Sequence, residues 1–93
     1  MQGVEDTTIL ALAPSASFQG LGDSAVILRL DSGQLFTCNE TTESLLRKID
    51  GRRNFAEIID GILGEYDVDR ETLRTDMSAI VDELVAEGLV VIV

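Results

Sequence analysis

With 93 residues, 17 of them acidic, 7 basic and none histidine, the chain carries a net charge of −10 at pH 7. That length builds one domain around one modest core, and 45% hydrophobic with 26% charged residues is ordinary for a folded domain. The acidity disfavours nucleic acid, whose affinity comes largely from Lys and Arg displacing counterions, and an anionic membrane surface for the same reason; plain solubility accounts for it equally well.

Residues 1–16 read as an N-terminal arm with a short apolar run, Ile9 to Ala13, ended by Pro14. The run suits an extended segment or an extra strand. Ser17-Phe18-Gln19-Gly20-Leu21 alternates polar and apolar residues, as a first strand does, and Gly22-Asp23-Ser24 is turn chemistry. Ala25 to Leu30 predicts a second strand, with Val26, Leu28 and Leu30 on one face and Ala25, Ile27 and Arg29 on the other. Asp31-Ser32-Gly33 suits a short hairpin loop with glycine at the left-handed position, and Gln34 to Cys38 returns as the third strand.

The first helix starts near Asn39 to Thr41, with Glu40 and Glu43 at the positive end of its dipole. Leu45, Leu46 and Ile49 form its apolar face, and Gly51 is placed at C′. Asn54 with Glu57 three residues on is a capping-box pair opening the second helix. Its apolar stripe is Phe55, Ile58, Ile59, Ile62, Leu63 and Tyr66. Asp69 caps the third helix, and Val68 is spaced to staple onto Leu73. Leu73, Met77, Ile80, Val81, Leu84 and Val85 repeat at helical spacing. Gly88 ends the helix, with Leu89 folding back on Leu84 in a Schellman ending. The apolar tail Val90 to Val93 packs on the sheet or adds a strand. Three strands followed by three helices make an α+β, winged helix-turn-helix-like layout over residues 17–93. Such layouts suggest DNA binding, which the charge opposes.

Catalytic chemistry is hard to draw. Without histidine the usual general base near neutral pH is missing, and no Ser-His-Asp or Cys-His arrangement exists. Cys38, the single cysteine, reads as a core residue rather than a nucleophile. It cannot supply a zinc site alone and permits no intramolecular disulfide, which suits a reducing cytoplasm. Asp67-Val68-Asp69 lacks the glycine and terminal glutamate of a calcium loop, so capping is the better reading. Gly20-Leu21-Gly22 is too short for a phosphate loop. Leu21-Gly22-Asp23-Ser24 looks like the attachment motif of acyl carrier proteins, but Ser24 leads into a strand here and not a helix. The chain starts without a basic n-region and has no apolar run near the roughly 20 residues of a membrane helix. The expectation is a cytoplasmic protein that is no enzyme and has no cofactor and no metal.

The order and spacing of these pieces resemble the PqqD-like family, also called RiPP recognition elements. The family pattern is an aliphatic strand, a glycine-containing turn, and a second strand ending in asparagine. A helix ending in Asp-Gly, one with Glu-Ile near its start, and one closing on Gly-Leu follow. This chain supplies Val26-Ile27-Leu28, Gly33, Asn39, Leu45-Leu46, Ile49-Asp50-Gly51, Glu57-Ile58, Leu63, Tyr66, Asp76-Met77, Ile80-Val81, Leu84 and Gly88-Leu89. The likeness covers residues 17–90 and leaves the arm unexplained. Thr42 stands where the family often has alanine, a substitution tolerable near a helix N-terminus.

The resemblance implies an N-terminal three-stranded antiparallel sheet packed on three helices. It also implies a function: binding the leader peptide of a ribosomally made, post-translationally modified precursor. The leader adds as a strand to an exposed sheet edge, and its side chains drop into a groove beside the third helix. Physics permits this, because an edge strand offers unpaired N–H and C=O groups. On this sequence the edge is Gln34, Leu35, Phe36, Thr37 and Cys38, and the opposing wall is Leu73, Asp76, Met77, Ile80 and Leu84. Leu73, Ile80 and Leu84 equally fit a core stripe, whereas Met77 suits an adaptable binding surface. Leu35 and Phe36 lie on opposite strand faces, and the sequence does not choose between them. Asp76, Asp82, Glu83 and Glu87 form a solvated face or favour a basic leader. Arg47, Lys48, Arg52 and Arg53 cluster by chance or meet an acidic partner. The implied partners are a precursor leader and a modifying enzyme, whether a radical S-adenosylmethionine enzyme, a leader peptidase or a cyclase. The same edge can pair with a second copy to make a homodimer. A winged-helix transcription regulator or another protein-interaction module is the rival reading.

Overall fold

The computed structural model describes residues 4–22 and 24–93. In chain order the elements are β1 (Leu10–Leu12), β2 (Ala16–Gly20), β3 (Ala25–Arg29), β4 (Leu35–Cys38), α1 (Glu40–Lys48), α2 (Phe55–Leu63), α3 (Arg70–Ala86) and β5 (Val90–Ile92). Asp23, in the expected β2–β3 turn and in the carrier-like motif, lies outside the described residues.

Strands β2, β3 and β4 form an antiparallel sheet in that order, with Phe18, Ile27 and Phe36 in one cross-strand row. Side chains alternate between faces along a strand, so Ala16, Phe18, Ala25, Ile27, Phe36 and Cys38 share one side. Ala25 and Ile27 are fully buried, which identifies this side as the one packed on the helices. Leu28, Leu30 and Leu35 take the outer face, where Leu30 and Leu35 are largely exposed. The β3–β4 hairpin closes as its residues dictate: Gly33 adopts φ 75° and its N–H donates to the Arg29 carbonyl at 2.8 Å.

Each helix is started by a side chain that accepts a backbone N–H the helix cannot pair itself. Asn39 accepts from Thr42 N–H ahead of α1, and Asp69 accepts from Thr72 N–H ahead of α3. Asn54 and Glu57 make the reciprocal capping box of α2. At the end of α3, Gly88 N–H donates to Val85 O and Leu89 N–H to Leu84 O, the two bonds of a Schellman ending. Gly51 does take the left-handed φ of 78°, but one residue beyond the expected C′ position. The cap of α1 is Ile49, and Gly51 N–H donates outside the helix, to the Leu10 carbonyl.

The core lies where the inner sheet face meets the three helices, and Phe55, Ile58, Ile59 and Ile62 of α2 are fully buried at its centre. The segment before residue 17 shares this core. Leu10 is fully buried, and β1 pairs with β5 in a second, two-stranded antiparallel sheet, Leu10 opposite Ile92 and Leu12 opposite Val90. The tail therefore adds a strand, and its partner is the arm. The arm also completes the α2 N-terminus: Phe55 N–H donates to Thr8 O at 2.8 Å and Ala56 N–H to Asp6 O at 3.1 Å. Arg74 of α3 holds the arm from the other side through Asp6 at 2.8 Å and the Val4 carbonyl at 3.3 Å.

Candidate functional site

Strand β4 is an edge of the three-stranded sheet, unpaired on its outer side among the described residues. In an antiparallel pair, residues alternate between those bonding the neighbour and those pointing away. Arg29 N–H donates to Gln34 O at 2.8 Å, and the register continues with Ile27 opposite Phe36 and Ala25 opposite Cys38. Gln34, Phe36 and Cys38 therefore bond inward to β3. The main-chain groups of Leu35 and Thr37 point out to the open edge.

Beside this edge a groove runs along α3 in two clefts that share Asn39 and Ile80. The upper cleft, about 530 Å³, lies between β4 and the second half of α3, with Phe36, Cys38, Ile80 and Leu84 among its walls. The lower cleft, about 430 Å³, lies between the start of α1 and the first half of α3, with Val68, Leu73, Asp76, Met77 and Ile80 among its walls. Val68 and Leu73, the proposed staple, both line this lower cleft, and Val68 remains 45% exposed.

The ten residues singled out from sequence divide by position. Phe36 and Cys38 face the upper cleft, whereas Leu35 turns its side chain to the outer sheet face and is 61% exposed. Thr37 reaches the upper cleft; Gln34 is exposed before the strand begins and lines neither cleft. Ile80 is the central wall residue, Leu84 belongs to the upper cleft, and Asp76 stands at the rim of the lower one. Leu73 and Met77 are 4% and 2% exposed. They floor the lower cleft as core residues, so Met77 is not an adaptable surface residue: the helix turns it inward, and Ile80 takes the groove-facing place.

Sequence reasoning passed over Ile27, Asn39, Thr41, Thr42 and Thr72, all of which line the groove. Asn39 carried a signal, since it ends a strand and caps a helix. That double role places it at the junction of the two clefts, with its Oδ1 committed to Thr42 N–H at 2.9 Å. Arg29 was also missed. Its guanidinium lies 5.6 Å from the Phe36 ring centre and 3.5 Å from Glu87, tying the sheet to the end of α3.

Burial, with Glu43 adding to it, pushes the Cys38 thiol up from its ordinary pKa, the opposite of what activates a nucleophile. Among the described residues no group of three or more potential ligands could hold a metal. A third hollow, between α1 and the turn after α2, has Glu43, Ser44, Arg47 and Glu65 among its walls, and these four are engaged by neighbouring side chains. Ser44 donates to Glu65, and Lys48 donates to Glu65 at 2.7 Å and to Ser44 at 3.1 Å. The bonds from Lys48 and Ser44 hold the Glu65 carboxyl below the usual range. The basic cluster is largely engaged as well: Arg47 pairs with Glu43, Lys48 with Glu65 and Arg53 with Asp50. The exposed stripe of α3 carries Asp76, Glu83 and Glu87, the wrong sign for a recognition helix in a DNA groove. No described helix is long and apolar enough to cross a membrane.

The family model for coenzyme PQQ synthesis protein D (PqqD) matches residues 24–90. The fold is similar to that of TbiB1 in complex with the TbiA(beta) leader peptide, at a TM-score of 0.79 and 24% identity over 86% of this chain and 93% of that one. It is similar to lasso peptide synthetase B1 complexed with the leader peptide, at a TM-score of 0.78 and 23% identity over 88% and 96%. It is also similar to part of the heterocyclase TruD, at a TM-score of 0.67 and 17% identity over 92% of this chain and 12% of that much longer one. No curated protein matches the chain.

Proposed function

This chain belongs to the PqqD family, and from that premise we propose that it is a non-catalytic domain that captures the leader peptide of a ribosomally synthesised precursor. The leader adds as a strand to β4 and is presented to a modifying enzyme. The observation that carries this reading is the open edge of β4, with Leu35 and Thr37 turned outward, lying directly beside an apolar groove. An added strand gains affinity from those main-chain groups and specificity from alternate side chains entering the groove. Phe36, Cys38, Ile80 and Leu84 take the leader's apolar side chains, while Leu73 and Met77 hold the groove floor in place. Burial of two leader side chains at roughly 1.5–3 kcal/mol each, less ordering costs, suits a micromolar to nanomolar complex.

Two similar folds are leader-peptide complexes, which supports the leader as ligand. The third occurs within a heterocyclase, which supports an enzyme as the further partner. The finer identity of that enzyme, among a radical S-adenosylmethionine enzyme, a leader peptidase and a cyclase, follows from the precursor.

The test is a fluorescence-polarisation titration with the N-terminal halves of short open reading frames encoded beside this gene. Saturable binding of one peptide, abolished by scrambling it, is the expected result. Absence of saturable binding by every such peptide overturns the proposal.

A further inference from the structure

The walls of the groove specify more than a generic strand. Asp76, Ile80, Glu83 and Glu87 sit at i, i+4, i+7 and i+11 along α3 and so form one stripe along its groove side. Acids occupy both ends of that stripe and an apolar residue its middle. Glu87 is paired with Arg29. Asp76 and Glu83 have no cationic partner among the described residues. No lysine or arginine lines either cleft, in a protein of net charge −10. Two carboxylates without a cationic partner, Asp76 and Glu83, therefore border the groove, whose one nearby cation, Arg29, is engaged by Glu87.

The spacing of the clefts is equally informative. The α3 residues of the lower cleft run from Thr72 to Ile80 and those of the upper cleft from Ile80 to Glu87. Their midpoints are about eight residues apart, or about 12 Å at 1.5 Å per helical residue. A strand rises about 3.3 Å per residue and shows every second side chain to one face, so residues i and i+4 of a strand that continues past the end of β4 along α3, about 13 Å apart, match both clefts. Separations of two and six residues, about 7 and 20 Å, fall short and overshoot.

Resting on the leader-binding reading above, we infer that the segment this groove selects is a cationic amphipathic strand: two apolar anchors four residues apart, with lysine or arginine next to them. The anchors enter the two clefts, and the cations meet Asp76 and Glu83. Opposite charges at an interface rim act mainly through encounter and register, so the preference weakens as salt screens it.

The experiment is a polarisation titration with labelled peptides in a Ser/Thr/Gln host. They carry two leucines separated by two, four or six residues, and either lysines or glutamates at flanking positions. The neighbouring-gene leader peptide serves as reference. The four-residue, lysine-bearing peptide is expected to bind best, by about tenfold or more over its glutamate counterpart at low salt, a gap that closes at about 1 M salt. The paired variant Asp76→Asn with Glu83→Gln is expected to weaken it by about threefold to tenfold at low salt and to narrow the gap between the lysine and glutamate peptides. Affinity indifferent to spacing or to the sign of charge overturns the inference, as does binding of the reference leader when no host peptide binds; in both cases the leader-binding reading stands. Failure of every peptide, the reference included, overturns both.

Discussion

The alternation of main-chain groups along β4 makes a sharp prediction about proline. Thr37 N–H points to the open edge, so Thr37→Pro removes a donor that the free domain does not use. The ring occupies edge space, and Phe36, the residue before it, is already extended as that position demands. The free protein should lose less than about 1 kcal/mol, a shift of at most about 8 °C in Tm for a domain of this size. The bound state loses a main-chain hydrogen bond and leaves a leader carbonyl unpaired, at about 1–3 kcal/mol. Kd should therefore rise about five- to 150-fold. Phe36→Pro, one residue away, removes an N–H that bonds β3 and takes the ring from the core side of the sheet. It should cost about 3 kcal/mol or more of stability. Thermal melts by circular dichroism, paired with leader titrations, separate the two variants. An unchanged Kd for Thr37→Pro, or a Tm loss as large as that of Phe36→Pro, refutes the reasoning.

Other outcomes follow from the same geometry. Met77→Glu places a carboxylate at a site 2% exposed and should unfold the domain by circular dichroism, since burying an unpaired charge costs several kcal/mol. Ile80→Ala should leave a cooperative melt but weaken leader binding by about five- to 30-fold, the equivalent of about 1–2 kcal/mol of lost apolar contact. Cys38, with its thiol pushed up by burial, should react with a disulfide reagent at pH 8 more slowly than a free thiol, and bound leader should slow it further. The Glu65 carboxyl is lowered by the bonds from Lys48 and Ser44, and that of Asp50 by the N–H groups of Arg53 and Arg52. Depressed carboxyl groups contribute stability that is present above their unfolded values, near pH 4, and lost as pH falls through their folded ones. Urea midpoints should therefore drop below about pH 4.5, modestly because both groups are exposed. Glu65→Gln should flatten part of that slope.

What the sequence made legible was local. Asn54 with Glu57, Asp69, and the Gly88-Leu89 ending each announce a helix boundary through residues within one turn of each other, and each forms as expected. Gly33 marks its hairpin for the same reason. The pairing of β1 with β5 joins residues some eighty positions apart, and no local pattern encodes it; each three-residue strand is too short to show a period. The inward face of β4 was also hidden. Phe36 and Leu35 are both apolar, and only the buried row through Ile27 decides between them. The burial of Met77 was hidden because a helical stripe names the residues on a face without saying which are central to it: Leu73, Met77 and Val81 point to the core, so Met77 lines the lower cleft only as its floor, while Ile80 and Leu84 border the groove.

Strand addition at β4 is tested most directly by residue-resolved amide hydrogen exchange, with and without bound leader. Leu35 and Thr37 amides should exchange freely in the free domain and become protected in the complex, while the Phe36 amide, bonded to β3, should be protected in both. A saturated complex in which the Leu35 and Thr37 amides still exchange freely would contradict it.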